Sequence, residues 1–330
     1  EIERDSPTIS QHTFSVSTQF RYMAYLVTGG AGFIGSHITE ELLKHGDEVI
    51  ILDNMYSGRS ENLAANPKAV FVEGSIMDSG ILESICTEYD IEGIFHLAAV
   101  ASVQKSIENP SLVHEVNVTG TLSVLEAARK HGVRKVVLSA SAAAYGDNPV
   151  FPKREDMLPE PLSPYAVSKI AAEMYCRAYA ELYDLQTVSL RYFNVFGPRQ
   201  DPNGEYAAVI PKFTEKICAG ESPTVFGDGN QTRDFVFVKD VARANLLSMD
   251  SAVCGLFNIG TGVQTSLNDL AKMIMDAAGV SVKMKYEAAR EGDVRYSVAD
   301  ISKAERELGY KPEWDLSEGV KETVEYFRSL

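Results

Sequence analysis

A strand that runs into closely spaced glycines leaves a chain few ways to continue. Leu26-Val27-Thr28-Gly29-Gly30-Ala31-Gly32-Phe33-Ile34-Gly35 reads as a strand, a glycine turn and the first turn of a helix. Gly30, Gly32 and Gly35 fit the spacing G-x-G-x-x-G, and Gly29, Gly32 and Gly35 fit its variant G-x-x-G-x-x-G. Without a Cβ, such a turn lets a pyrophosphate approach bare backbone, and the N–H groups at a helix N-terminus attract its charge. A tight strand-to-helix turn with no ligand would use the same glycines, so the rest of the chain has to decide between the two.

From Met23 onward the pattern alternates strand and helix, which predicts an α/β fold with a parallel, doubly wound sheet. Strands are expected over Tyr25–Val27, Glu48–Leu52, Ala69–Val72, Gly93–Leu97, Arg134–Leu138 and Gln186–Leu190. Helices are expected over Ile34–Lys44, Ile81–Glu88, Pro110–Lys130 and Pro164–Tyr183; Gly132 would stop the third, and Ser163-Pro164 would start the fourth. Past residue 190 the turn-rich run Phe196–Gly204 breaks the rhythm, and shorter elements follow. The expected division is a dinucleotide domain over 23–190 and a smaller mixed α/β lobe over 191–330. The second is expected to be discontinuous, with some segments returning to the first. Residues 1–22 are polar and lack an apolar core; they read as an extension to the core or as a short arm against a partner subunit.

The formal net charge of −15 argues against nucleic acid or an anionic membrane as partner. No apolar run approaches the roughly 18 residues of a membrane span. Cys86, Cys176, Cys218 and Cys254 are scattered, with no C-x-x-C pair. They read as small core residues, which predicts neither a metal site nor a disulfide framework and suits a cytoplasmic location.

Asp53 ends the second predicted strand, where an acidic side chain can accept hydrogen bonds from both ribose hydroxyls of an adenosine. It would repel the extra phosphate of NADP, so NAD is the expected cofactor. Tyr165 and Lys169 lie one helical turn apart, so phenol and ammonium share a face. A free tyrosine titrates near about 10, and lowering that to about 7 takes roughly 4 kcal/mol. An adjacent ammonium and a cationic nicotinamide in a poorly hydrated pocket supply that order of energy. Ser141 follows the C-terminal end of a parallel strand, the edge at which open α/β sheets bind ligands. Its hydroxyl could share a proton with a substrate alcohol and Tyr165.

With these residues placed, the chain from Met23 to Leu330 resembles the extended short-chain dehydrogenases/reductases, and among them the nucleotide-sugar 4-epimerases acting on UDP-N-acetylglucosamine or UDP-glucose. The resemblance rests on Thr28–Gly35, Leu52-Asp53-Asn54, His96-Leu97-Ala98-Ala99, Ser139–Ser141 through Tyr145-Gly146-Asp147, Tyr165–Lys169, Leu190–Asn194 and Arg290-Glu291-Gly292-Asp293. It implies a Rossmann-type sheet with a UDP-sugar lobe, a retained NAD, and inversion at C4 through a 4-keto sugar. Tyr165 would exchange the O4 proton, Ser141 would steady it, and Lys169 would hold the nicotinamide ribose. The implied NAD contacts are Gly29, Gly32, Phe33, Ile34, Gly35, Asp53, Asn54, Ser57, Gly58, Ser75, Ile76, Leu97, Ala98, Ala99, Asn117, Ser139, Tyr165, Lys169, Tyr192 and Val195. The implied substrate contacts are Ala101, Ser141, Tyr165, Asn194, Ala208, Val209, Thr224, Phe226, Arg233, Arg290, Asp293 and Ser297. The two arginines suit a diphosphate.

Several positions bear on which reaction and which sugar. Sugar 4,6-dehydratases carry an acidic pair after the serine, and UDP-glucuronate decarboxylases a glutamate at the place of Ala143. Ala142 and Ala143 supply neither, which leaves simple oxidation and return. Hexose-restricted epimerases place a tyrosine where this chain has Ser297, and UDP-galactose epimerases often a lysine where it has Ala101. Both smaller residues make room for an N-acetyl group, so UDP-GlcNAc/UDP-GalNAc is the expected pair, with the unacetylated pair also accepted. UDP-glucuronate epimerisation and a catalytically silent NAD-binding scaffold are the competing readings. Ser75 stands where an aspartate often meets the adenine, and Ala140, Ala142 and Ala143 replace hydroxyls common near the catalytic serine. In such enzymes the 110–130 and 164–183 helices pair with their counterparts in a four-helix bundle, and Val116, Leu122, Leu125, Met174, Tyr175 and Tyr179 would be available for it. A homodimer is expected; burial of these residues within one chain is the alternative.

Overall fold

The computed structural model describes residues 23–202, 209–289 and 295–330. Its centre is a seven-stranded sheet in the order Gly255–Ile259, Gln186–Tyr192, Lys135–Ser141, Asp90–His96, Met23–Thr28, Glu48–Asp53, Val70–Glu73. Every pairing in it is parallel. Consecutive residues of a strand face opposite sides, so each central strand feeds two cores. Leu26, Ile94 and Val136 pack under the helices Ser79–Glu88, Gly120–His131 and Pro164–Leu182. Their neighbours Val27, Phe95 and Val137 pack under Phe33–His45 and Val238–Asp250. Strand order reverses between Met23–Thr28 and Asp90–His96, and the crevice at the carboxyl ends of these strands is where such folds take a ligand.

The outermost strand, Gly255–Ile259, comes from far down the chain and pairs with Gln186–Tyr192. Between these strands and after them, a third core gathers Phe196, Phe213, Phe235, Phe237, Leu270, Ile274 and Val320. It is built by the helices Val209–Cys218, Leu267–Ala278 and Leu316–Ser329. Among the described residues no helix is long and apolar enough to cross a membrane.

Three expectations need correction. The predicted helix 110–130 is not one regular helix: Pro110–His114 and Gly120–His131 are joined by a π-helical turn, Glu115–Thr119. The extra residue of that turn lets the Asn117 amide reach a neighbouring loop, as described below. Cys254 is exposed, because it lies in the loop leading onto the edge strand; Cys86 and Cys176 are buried. Leu125 and Tyr179 are buried within this chain, and Val116 and Leu122 pack partly against the same core, so the first two are committed intramolecularly. Met174 and Tyr175 are exposed on the Pro164–Leu182 helix, together with Val167 and Leu182.

Candidate active site

The glycine turn is held by steric necessity. Gly29 adopts φ 72°, and a Cβ there would lie 2.7 Å from the Ala98 nitrogen. A Cβ on Gly35 would collide with the Gly29 carbonyl oxygen. Gly32 precedes the helix Phe33–His45 with no side-chain cap, and the first turn carries no acidic residue. The N–H groups of Phe33, Ile34 and Gly35 therefore open the helix toward the crevice without competition from a capping side chain.

Asp53 sits at the end of its strand, buried. Its Oδ2 accepts from the Ala31 N–H at 3.0 Å and its Oδ1 from the Met55 N–H at 2.8 Å. Each oxygen keeps a lone pair for a further donor, and burial raises the pKa of the carboxyl against those two hydrogen bonds. Gly58 closes over it: a Cβ there would come within 2.9 Å of Asp53 Oδ1. Asn54 and Ser57 are exposed in the same loop, and Asn54 Oδ1 accepts from the Tyr56 N–H. On the next loop Ser75 Oγ accepts from the Met77 N–H, while Ile76 is buried in the core beneath it.

The strands Asp90–His96 and Lys135–Ser141 deliver the central groups. His96 is buried between two threonines, with Thr28 Oγ1 at 2.7 Å from Nδ1 and Thr121 Oγ1 at 2.9 Å from Nε2. Thr121 Oγ1 spends its proton on the Asn117 carbonyl at 2.7 Å, so it accepts from Nε2–H, and Nδ1 accepts from Thr28. Burial, reinforced by the charge of Lys169, pushes His96 down to about 3, so it is a neutral strut at neutral pH. Leu97 N–H then donates to the Thr28 carbonyl and Ala98 N–H to Thr28 Oγ1, which fixes the loop carrying Ala98, Ala99 and Ala101. Asn117, presented by the π turn, clamps that loop from the other side. Its Oδ1 accepts from Val100 N–H at 2.7 Å, and its Nδ2 donates to Val100 O and Ser168 Oγ.

Ser141, Tyr165 and Lys169 come together. A hydrogen bond from Ser141 works against the burial that raises the Tyr165 phenol. Lys169 Nζ donates to the Ser139 carbonyl at 2.9 Å and lies 6.0 Å from the Tyr165 ring centroid. Burial lowers Lys169 to about 8, while Glu173 pulls the other way. Ser163 caps the helix through the Ala166 N–H, and Pro164 occupies its first position, which sets Tyr165 in the first turn. A phenol, a hydroxyl and an ammonium converging at the ligand edge of the sheet can move one proton to and from a substrate alcohol.

Other predicted contacts are more dispersed. Tyr192 is buried, its hydroxyl donating to Asn245 Oδ1 at 2.9 Å. Asn194 and Val195 lie on the short strand Asn194–Phe196, where the Asn194 N–H donates to Asp234 O. Val209 opens the helix Val209–Cys218, and Thr224 and Phe226 lie on a strand paired with Lys285–Glu287. Arg233 Nη1 donates to the Thr232 carbonyl, the same oxygen that accepts from the Ser297 N–H, so Arg233 and Ser297 meet at one strand edge. Ala208, Arg290 and Asp293 lie outside the described residues.

Sequence reasoning missed the His96–Thr121 strut, the Asn117 clamp and a buried ion pair behind Lys169. In that pair Arg191 forks onto Glu173 with Nε–Oε1 at 2.9 Å and Nη2–Oε2 at 2.7 Å. The sequence hint for the last was an acidic residue one turn beyond Lys169, with an arginine, the one charged residue, on the strand Gln186–Tyr192.

Residues 25–260 match the pattern of the NAD dependent epimerase/dehydratase family. The chain belongs to this family. Its cofactor is NAD, and the glycine cradle, the uncapped helix N-terminus and the two spare lone pairs of Asp53 fit a dinucleotide. Among its fellow epimerase-family proteins, a putative UDP-glucose 4-epimerase of Methanocaldococcus jannaschii is 46% identical over 92% of this chain and 98% of its own length. The crystal structure of UDP-glucose 4-epimerase from Thermotoga maritima with UDP-glucose superposes with a TM-score of 0.90 at 47% identity, covering 93% of this chain and 99% of that one. UDP-N-acetylglucosamine 4-epimerase of Methanobrevibacter ruminantium, solved with UDP-N-acetylmuramic acid, gives 0.89 at 42% identity, over 94% and 99%.

Proposed function

We propose that this UDP-sugar 4-epimerase interconverts UDP-GlcNAc and UDP-GalNAc and also accepts the unacetylated UDP-glucose/UDP-galactose pair. The observation that carries the choice of sugar is the pair Tyr296-Ser297. The Tyr296 ring packs on Phe151, centroids 6.0 Å apart, while the Ser297 backbone is tied to Thr232 beside Arg233. Adjacent residues of an extended segment face opposite sides, so the bulky ring turns away and the small serine faces the other side. A small residue at this gate, with Ala101 in the loop after His96, supports room for an N-acetyl group. The neighbour named for UDP-N-acetylglucosamine supports the same reading.

In this reading Tyr165, as phenolate, takes the O4 proton of the sugar and later returns it. Ser141 holds that hydroxyl in line, and the Lys169 ammonium stabilises the phenolate. NAD, when bound, would supply the acceptor and then the donor of the C4 hydride. Once the 4-keto sugar has turned to present its opposite face, restoring proton and hydride changes only the configuration at C4. Asp53 would hold the adenosine ribose and the turn Gly29–Gly35 the pyrophosphate. Arg233 and Arg290 would hold the UDP diphosphate, with Asn194, Ala208, Val209, Thr224, Phe226 and Asp293 around the nucleoside. A homodimer through the exposed face of Pro164–Leu182, where Val167, Met174, Tyr175 and Leu182 lie, and a cytoplasmic location complete the proposal.

The test incubates the purified protein separately with the four UDP-sugars, without added NAD, and separates the products. Interconversion of the acetylated pair is expected; conversion of the hexose pair alone would sink the choice of sugar, and conversion of none would sink the reaction. Ser297→Tyr is expected to depress turnover of the acetylated pair about tenfold or more while sparing the hexoses. Equal losses on both would remove Ser297 from the gate.

A further inference from the structure

The ion pair behind the catalytic helix has an electrostatic reach that the reaction scheme above does not use. Glu173 lies one turn past Lys169 on Pro164–Leu182, and residues so spaced are neighbours on a helix face. Both are buried, at 3% and 5% exposure. Arg191, 1% exposed, comes from Gln186–Tyr192 and locks both carboxylate oxygens of Glu173 in its fork. The other face of the guanidinium is occupied: its central carbon lies 4.6 Å from the Tyr145 ring centroid, and the Tyr145 hydroxyl donates to Asn258. Glu173 is thus fixed in place by a charge it did not need for packing, since buried ion pairs contribute little net stability over apolar residues of the same volume.

We propose that Glu173, held by Arg191, is a positioning residue for the reaction: from one turn behind, its carboxylate steadies the ammonium of Lys169, which the Ser139 carbonyl holds one turn from Tyr165. The assignment deepens the reading given above and rests on it for the roles of Tyr165 and Lys169. Four elements face Lys169 and bring the charges and dipoles around it. Its own helix brings Tyr165 and Glu173, Asp90–His96 brings His96, Lys135–Ser141 brings the Ser139 carbonyl, and Gln186–Tyr192 brings Arg191 behind Glu173. His96 is neutral and Arg191 is bound to Glu173, so Glu173 is the anion among them. Consistently, burial drives Lys169 down while Glu173 alone opposes it, and Lys169 together with Arg191 opposes the burial that raises Glu173.

The experiment compares wild type, Glu173→Gln and the double variant Glu173→Leu/Arg191→Met, each purified with its NAD. The double variant leaves no unpaired buried charge, and the pair borders a cavity of about 700 Å³ into which the new side chains can relax, so it is expected to fold. Two readouts are taken: the titration of Lys169 by NMR on lysine-labelled protein, assigned with Lys169→Met, and the pH profile of kcat. In both variants the Lys169 titration and the alkaline limb of kcat are expected to move toward acid by about one pH unit or more, with KM for the UDP-sugar unchanged. A double variant with native thermal midpoint and both values at their wild-type positions would overturn the assignment and leave the pair a structural strut. If no UDP-sugar is turned over but the Lys169 titration still moves, the reaction is wrong and the coupling of Glu173 to Lys169 stands.

Discussion

One strand, Lys135–Ser141, carries a buried lysine contact at each end, and the two are built differently. At its start Lys135, 0% exposed, donates to Ser248 O at 2.9 Å, Val253 O at 3.1 Å and both oxygens of Ser251. These acceptors include the carbonyls that close the helix Val238–Asp250, where a cation is favoured by orphan carbonyls and by the helix dipole. At the far end Ser139 gives Lys169 its carbonyl at 2.9 Å, and the other two ammonium protons point toward no side chain or carbonyl at hydrogen-bond distance among the described residues. Both lysines are lowered by burial, so depth does not distinguish them. The number of acceptors does: a saturated ammonium is architecture, and an ammonium with spare protons is available for a ligand.

Three substitutions test this contrast. The largest effect is expected at the reactive end, where Tyr165→Phe should lower kcat by about 10²–10⁴-fold with NAD retained and the thermal midpoint unchanged. Near-normal turnover would remove Tyr165 from the proton path. Next comes Lys169→Met. Lys169 falls from 10.5 to about 8 on folding, so between those values the unfolded chain holds more protons and stability rises with pH. Below that window the buried charge costs up to about 3 kcal/mol, which methionine relieves. Lys169→Met should therefore be more stable than wild type at pH 7, with the gap closing toward pH 10.5, while kcat drops. Urea titrations at both ends of the window check this, and a variant less stable at pH 7 would break the contrast. The smallest effect is Lys135→Met, which strands buried carbonyls and should cost about 1–3 kcal/mol while leaving kcat intact. Lost turnover with a native melting curve would show that the start of the strand also serves the reaction.

The features legible in the sequence were those whose chemistry is local. The turn from Gly29 to Gly35 announces itself because close backbone approach forbids a Cβ, and Tyr165 and Lys169 because one helical turn separates them. Ser163 and Pro164 marked the helix start for the same reason. What stayed hidden depends on partners distant in sequence. Asn117 was legible only as a cofactor contact implied by the resemblance, and only the π turn and the loop at Val100 show it to be a clamp. Periodicity could not reveal that turn, since one added residue within 110–131 leaves an apolar pattern that still reads as helix. Glu173 and Arg191 are ordinary charges until a strand and a helix pack together. Leu125 and Tyr179 seemed free to meet a partner because hydrophobic spacing reports a buried face without naming what covers it.

The edge strand Gly255–Ile259 has a mechanical consequence. The chain leaves the sheet after Tyr192, contributes Phe196, Phe213, Phe235 and Phe237 to the third core and then returns to lie in register against the strand it left, with Phe193 N–H also donating to Ile259 O at 2.9 Å. Outgoing and returning segments are paired side by side, so the chain beyond Tyr192 is tethered to the central sheet at two neighbouring strands. For an enzyme that must address one carbon from both faces, such a double tether suits a frame that stays in place around the proposed turn of the 4-keto sugar.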